Sequence, residues 1–352
     1  WTNAGMGGLA SCSADTDIVF CREGGGNASH IGVRCAVCQI PARKDEDRYA
    51  IGIGSTETGL VKSLDKANEQ SGDIFSVGIY DGHGGKGVAN ILQEKCIPGV
   101  IKKVADAVKG SRKDNKLRKV PESCITATYK ELNKLSLKEE FSSGSCALNM
   151  WVTNSEDGSR LVQCSWAGDC RMALFKGERF ETYQDVSRDH SPIDEREKAR
   201  IIEYGKQNGG GAIITRRQTA DGLAVGPFAV FQDLPRKNNL SLMMTRSIGD
   251  GMHSKAIIPD PEFKEIKVAR EERVRFVLAS DGMWRVFDNK RTRKVMKRIR
   301  CPAAAANRLA AEAVWKTQKH THMKLDDVTV VVVDVCGLDC GSSLDTTQQS
   351  KS

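Results

Sequence analysis

Phe75-Ser-Val-Gly-Ile-Tyr-Asp-Gly-His-Gly-Gly85 decides how this chain is read. Its first six residues carry no charge and include the strand formers Phe75, Val77, Ile79 and Tyr80, and they stop at an Asp followed by glycines, so a buried strand runs into a sharp turn. The arrangement recurs. Val274-Arg-Phe-Val-Leu-Ala-Ser280 runs into Asp281-Gly282-Met283-Trp284, Asp326-Asp327 opens Val328-Thr-Val-Val-Val-Val-Asp334, and Glu46-Asp47 opens Arg48-Tyr-Ala-Ile-Gly-Ile53. Strands of one sheet begin and end at common rims, so carboxylates at their tips converge although the chain separates them widely. Clustered carboxylates repel one another in reduced dielectric, and hard divalent cations, more than one, are the simplest means of keeping them ionised. Singly, each Asp reads as a turn or strand-end cap. Recurrence of a strand before and a Gly after favours a metal site.

Outward from these stretches, Ala147–Thr153, Arg160–Trp166 and Arg171–Phe175 predict consecutive antiparallel strands, with turns at Asn154–Ser159 and Gly168–Cys170. Helical spacing marks Gly87–Lys95, part of Leu92–Val108, Glu122–Lys138 and Pro302–Gln318. Strands in meanders with helices grouped apart indicate an α+β fold. Residues 1–30, aperiodic and rich in Gly, Ser and Cys, predict an N-terminal extension, and 31–336 the domain itself. From about Asp189 to Leu240 the pattern breaks: charged residues, then Gly209-Gly210-Gly211, then Pro227 and Pro235. This predicts a surface flap at about 189–240. The polar stretch 337–352 predicts a disordered tail.

At 352 residues, 39% hydrophobic and 28% charged, the composition is that of a globular protein in one large domain or two. No apolar run approaches the ~20 residues of a membrane span, and no secretory leader is visible, although the chain starts at Trp1 rather than Met. The twelve Cys form no dense framework. The expectation is therefore a reducing, intracellular setting, cytoplasmic or nuclear or both, without membrane contact. Cys35-x-x-Cys38 lacks a second such pair or a His pair, which disfavours zinc. The net charge of +8 is uneven: Lys102–Lys119 has a local excess of six, and Lys290–Arg300 carries seven basic residues and no acid. These read as solvated faces, with nuclear import as the sharper alternative for Lys290–Arg300. Neither has interleaved aromatics, so nucleic acid is not an expected partner. Without heptads or repeats, a monomer is expected.

Gly82-His-Gly84-Gly-Lys-Gly87 satisfies G-x-G-x-x-G after a strand, the pattern of a dinucleotide-binding turn. Asp81 stands where its charge would oppose a pyrophosphate, and no acidic residue ends a strand about twenty residues on, as a ribose contact needs. The glycines are read instead as a turn that aims His83 and a carbonyl at a metal site.

Asp81-Gly-His-Gly-Gly85, Ala167-Gly-Asp-Cys-Arg171, Thr245-Arg-Ser-Ile-Gly-Asp250, Ser280-Asp-Gly-Met-Trp284 and Asp326-Asp-Val-Thr-Val330 occur in that order. Together they resemble the ordered signature of the PP2C-type (PPM family) metal-dependent Ser/Thr protein phosphatases, with Gly144-Ser-Cys-Ala147 and Asp189-His-Ser-Pro192 in support. The resemblance covers roughly residues 30 to 336. It implies a four-layer α-β-β-α sandwich with two central antiparallel β-sheets and a two-metal cleft at one end of them. Asp81 resembles the carboxylate bridging both ions, and Gly82 the residue offering its carbonyl. Asp281 and Asp326 resemble the other direct ligands, and Glu46 and Asp47 the acidic pair acting largely through waters. Asp169 matches a third, weaker metal position, with Asp250 near it. The ions implied are Mg²⁺ or Mn²⁺, since the donors are all oxygen. A water between two such ions is acidic enough to attack a phosphoryl group near neutral pH, and His83 suits the general acid for the departing Ser or Thr. Phosphorylated proteins are the implied substrates.

Three positions depart from the family pattern. Counting back four residues from Glu46, where the family has a phosphate-gripping Arg, gives Ala42, with Arg43 next to it and Ile40-Pro41 before. In a strand, a shift of one residue reverses the face, so phosphate capture falls to a bulged Arg43, to Arg34 or Arg48, or is weakened. Asp327 stands for Asn and Cys170 for Ser. The reading from residues and resemblance is an active phosphoprotein phosphatase with His83, Asp81 and Arg43 as its catalytic set. The alternative is a phosphatase-like scaffold that binds phosphoproteins without turnover.

Overall fold

Val328–Cys336 is a nine-residue strand in which every residue is buried, so both of its faces must be covered. Val331, Val333 and Val335 point into one apolar cluster, and Val328, Val330 and Val332 into another. Strand alternation thereby demands a layer on each side of the sheet. The computed structural model of the protein describes residues 18–20, 32–63, 72–110, 119–140, 142–219, 223–232, 240–320 and 324–336. The expected tail 337–352, most of the expected extension 1–30 and residues 111–118 of the first basic stretch lie outside the described residues.

Two six-stranded antiparallel sheets form the centre. One runs β1 (Ile18–Phe20), β2 (Val33–Ile40), β18 (Val328–Cys336), β17 (Arg273–Ala279), β10 (Arg171–Lys176), β11 (Thr182–Asp185). The other runs β16 (Glu262–Val268), β9 (Arg160–Ala167), β8 (Ala147–Asn154), β5 (Ile74–Tyr80), β3 (Arg48–Gly54), β4 (Val61–Ser63). Two small sheets complete the set: β12 (Ile213–Gln218), β13 (Ala224–Phe231) and β14 (Ser241–Leu242), and then β15 (Ile248–Gly249), β7 (Gly144–Ser145) and β6 (Gly82–His83). The helices are α1 (Gly87–Gly110), α2 (Glu122–Glu139), α3 (Glu195–Gln207), α4 (Asp281–Trp284), α5 (Asn289–Met296) and α6 (Pro302–His320).

Between the large sheets, Val33, Cys35 and Val37 of β2 and the odd-numbered valines of β18 meet Phe75, Val77 and Ile79 of β5 and Leu148, Met150 and Val152 of β8. Behind the second sheet, Ile74, Tyr80 and Trp151 pack under α1 and α2. Behind the first, Cys38, Phe175, Val277 and Val330 pack under α5 and α6. The order is α-β-β-α, as the family resemblance implies. Each buried Leu, Ile, Val or Phe contributes about 1.5–3 kcal/mol before the cost of ordering it.

The two overlapping helical segments expected within residues 87–108 are one helix, α1, running through Pro98. Pro98 and Glu94 lie on the exposed face, where water can satisfy the Glu94 carbonyl that loses its partner, while Ile97, Val100 and Ile101 stay buried. Cys35 and Cys38 sit on one strand three residues apart and so face opposite layers, one between the sheets and one under α6. That geometry cannot close on a shared ion. The stretch 189–240 holds α3 and the β12–β13 hairpin, packed on Ile201, Ala212, Val230 and Ala256. No helix among the described residues is long and apolar enough to cross a membrane.

One buried ion pair fastens the first sheet. Arg275 on β17 lies opposite Asp334 on β18. Its Nε and Nη2 donate to the Asp334 carboxylate at 2.6 and 2.9 Å, and its Nη1 donates to the Ile299 carbonyl. Both side chains are almost fully buried. Asp334→Ala leaves a guanidinium without its anion, and a loss of about 3 kcal/mol in urea unfolding is expected. A loss below about 1 kcal/mol would show that the carbonyls and the Phe180 ring, 4.9 Å from Arg275 Cζ, suffice alone.

Candidate active site

Strand register sets the site. Arg48 pairs with Tyr80, so Asp47 and Asp81 leave neighbouring strands at the same rim. Ala279 pairs with Val330, which brings Asp281 and the 326–327 segment to the matching rim of the other sheet. The Gly after Asp81 and the Gly after Asp281 are required by crowding. A Cβ on Gly82 would stand 2.6 Å from the Glu46 carbonyl oxygen, and one on Gly282 would stand 2.0 Å from that of Asp327. These glycines let the acidic segments approach.

Asp81, Asp169 and Asp281 converge, each offering a carboxylate oxygen within 4.8 Å of the others'. Burial pushes the proton affinity of Asp81 well up, and the charges of Asp47 and Asp281 push it further. Burial and the Asp169 charge do the same for Asp281. Asp169 is raised by burial and by Asp189. Asp47 is 1% exposed and is pushed up to about 7 by burial, against the hydroxyl of Thr329 that donates to its Oδ2 at 2.7 Å. A cluster that holds protons this tightly is short of positive charge, and its all-oxygen donors suit Mg²⁺ or Mn²⁺.

Glu46 faces the turn after Asp81, its Oε1 accepting from the Gly85 N–H at 2.8 Å. An N–H of the glycine turn is thus taken by a carboxylate, which disfavours a pyrophosphate there. Asp326 receives Nη1 of Arg285 at 2.6 Å, and Nη2 of the same side chain donates to Asp281. Sequence reasoning does not single out Arg285; its i+4 spacing from Asp281 is the available signal. Asp327 accepts from the backbone N–H groups of Ala42, Glu46 and Asp47. Its charge serves to hold the loop that carries the acidic pair.

Ala42 and Arg43 lie beyond the end of β2 at Ile40, so strand alternation does not govern where their side chains point. Arg43 is exposed and makes no ion pair or hydrogen bond among the described residues. Arg48 is committed elsewhere, to Asn90 Oδ1 at 2.7 Å and to the Asp47 carbonyl. Arg34 pairs in register with Asp334, six residues down β2 from the Ile40 end, or roughly 20 Å away.

His83 Nε2 lies 2.9 Å from both oxygens of Asp250, and Nδ1 is buried without a partner. Burial lowers the affinity of the ring for its proton, but the Asp250 charge and hydrogen bond outweigh it, so His83 holds a proton above its ordinary range. Asp250 also receives the Ser247 hydroxyl. Asp250 thus holds the His83 ring in place. Asp169 instead accepts from the Cys146 thiol at 3.2 Å.

A second group, His190, Glu197 and Glu262, also brings ligand atoms together. Arg246 and Arg200 bind Glu197 at 2.6 and 2.8 Å, and the Gly168 N–H donates to His190 Nδ1. Two guanidiniums already balance those acids, so this is a structural ion-pair knot at the base of the flap.

The family model described as Protein phosphatase 2C matches residues 55–322. "Probable protein phosphatase 2C 69" of Arabidopsis thaliana is 28% identical over 292 residues, 81% of this chain and 68% of that protein. "Probable protein phosphatase 2C 71" of the same plant is 27% identical over 267 residues, 74% of this chain but 49% of that protein. The chain therefore spans about half to two thirds of these two relatives. Among solved structures, the crystal structure of serine-threonine phosphatase 2C from Toxoplasma gondii superposes with a TM-score of 0.62 at 18% identity, covering 86% of this chain and 95% of that one.

Proposed function

The chain belongs to the protein phosphatase 2C family, and from that premise we propose that it hydrolyses phosphoserine and phosphothreonine in proteins with the help of two divalent ions. The observation that carries this is the convergence of Asp81, Asp169 and Asp281 beside a His83 held by Asp250. Asp81, Asp281 and Asp326, with the Gly82 carbonyl, are the proposed direct ligands of Mg²⁺ or Mn²⁺. Glu46 and Asp47 complete the shell, and Asp169 serves a third position. When bound, the ions supply an acidified water as nucleophile and offset the charge on the phosphoryl oxygens.

The chain's own side chains do the rest. Asp250 takes one ring N–H of His83 and keeps the imidazole protonated. The proton on Nδ1, which has no partner, is the one available to the departing Ser or Thr oxygen. Asp327 fixes the 42–47 loop and with it the neighbourhood of Arg43, the exposed cation proposed to grip the substrate phosphate.

Phosphate release from a phosphothreonine peptide is the test. Turnover is expected in Mn²⁺ or Mg²⁺ and not in excess EDTA; a folded, metal-binding protein without turnover would favour the scaffold reading instead. In the same assay Arg43→Ala is expected to raise KM about tenfold while leaving Mn²⁺ affinity unchanged. An unmoved KM would remove Arg43 from the site.

A further inference from the structure

Arg285 follows the one-turn helix α4, and its backbone N–H donates to the Asp281 carbonyl at 2.8 Å. That turn lays its side chain back over Asp281. One guanidinium then spans two carboxylates that the chain separates widely: Nη2 on Asp281 and, at 2.6 Å, Nη1 on Asp326. Among the described residues no other Lys or Arg pairs with Asp81, Asp169, Asp281 or Asp326.

We propose that Arg285 is a resident cation of the acidic site, which a divalent ion must displace from Asp281 and Asp326 before those carboxylates can serve as ligands. This deepens the reading above and rests on it in one respect, that Asp281 and Asp326 take a divalent ion. A guanidinium is charged at every working pH and fits carboxylates through its planar fork, so the competitor is always present. Between exposed groups such a pair would count for little. Asp281 is not such a group: its side chain is 17% exposed, and it faces Asp81 and Asp169, whose combined field strengthens its hold on any cation. A divalent ion brings twice the charge in a compact sphere, but it enters only after two charge-assisted hydrogen bonds break. The chain thereby weakens its own metal affinity and keeps its metal-free state neutralised in part.

Calorimetric titration of Mn²⁺ into the EDTA-stripped full chain tests this, beside Arg285→Ala and Arg285→Gln, with thermal unfolding of each in EDTA. Both variants are expected to bind Mn²⁺ at least tenfold more tightly and to melt lower without metal. The Gln variant keeps the hydrogen-bonding stem without the charge and is read in the same way should the Ala variant not fold. Equal or weaker Mn²⁺ binding by the variants overturns the competition, as does an unchanged metal-free melting temperature. No Mn²⁺ uptake by any of the three proteins overturns the metal reading itself and the competition with it.

Discussion

Asp81→Asn is expected to reduce phosphate release at least a thousandfold while making the metal-free chain more stable at pH 7.5. The two effects have one cause. Asp81 is half-buried among Asp47, Asp281 and Asp169, and its proton affinity is raised by desolvation first and by those charges next. An Asp raised in the folded state keeps its proton there at pH values where the unfolded chain has lost it. Folded chains then bind more protons than unfolded ones, so stability falls as pH rises. The loss begins near the unfolded value of 3.8 and, for Asp47, is complete near 7. His83, also raised by Asp250, adds to the fall above its unfolded value of 6.5. His190 and His253 are lowered, both chiefly by burial, and oppose the trend below about 6.5, so the comparison with the variant isolates the cluster.

The Asp81→Asn change removes one half-buried ionisable group at nearly constant shape. Each unit of relieved shift corresponds to about 1.4 kcal/mol, and a rise of a few degrees in the EDTA melting temperature at pH 7.5 is expected. The difference should shrink towards pH 4, where Asp81 is itself neutral. Saturating Mn²⁺ should reverse the ranking, because the wild type gains the free energy of binding and the variant loses much of it. A variant less stable than wild type in EDTA at pH 7.5 would remove the electrostatic account of this cluster.

His83→Ala is expected to slow release from a phosphothreonine peptide about 10²–10³-fold, yet to slow p-nitrophenyl phosphate hydrolysis less than about tenfold. Threonine leaves as a strongly basic alkoxide and needs a proton in the transition state, whereas nitrophenolate departs without one. The geometry behind this is the grip of Asp250 on Nε2 at 2.9 Å and the unpartnered Nδ1. Because Asp250 holds the proton on the ring above the usual range of His, the acid form persists above pH 6.5. Asp250→Asn should then move the alkaline limb of the peptide rate to lower pH. Equal losses on both substrates would give His83 a purely structural role around the site.

How much of this was legible beforehand depends on the range of the interaction. Hydrophobic runs at Val328–Val333 and Phe75–Tyr80 mark strands, and the acidic residues at their ends mark a common rim. These are local properties, written in consecutive residues. The order of layers came instead from the resemblance of the ordered motifs to a known family, and the burial of Val328–Cys336 on both faces agrees with it. The continuity of α1 through Pro98 was not legible: a proline reads as a break unless the free carbonyl is known to face water.

The site divides the same way. Residue types and spacing identified Asp81, Asp281, Asp326 and the Glu46-Asp47 pair as carboxylates at strand tips. Only the tertiary structure decided what each one meets. It turned Asp327 inward onto three backbone N–H groups, gave Asp250 to His83, and closed Arg285 over Asp281 and Asp326. It also left Arg43 past the end of a strand, where alternation no longer sets direction. The physical reason is reach. Strand and helix periodicity is fixed by neighbours in the chain, whereas a charge finds its partner across loops, through register, burial and crowding that no single stretch of residues contains.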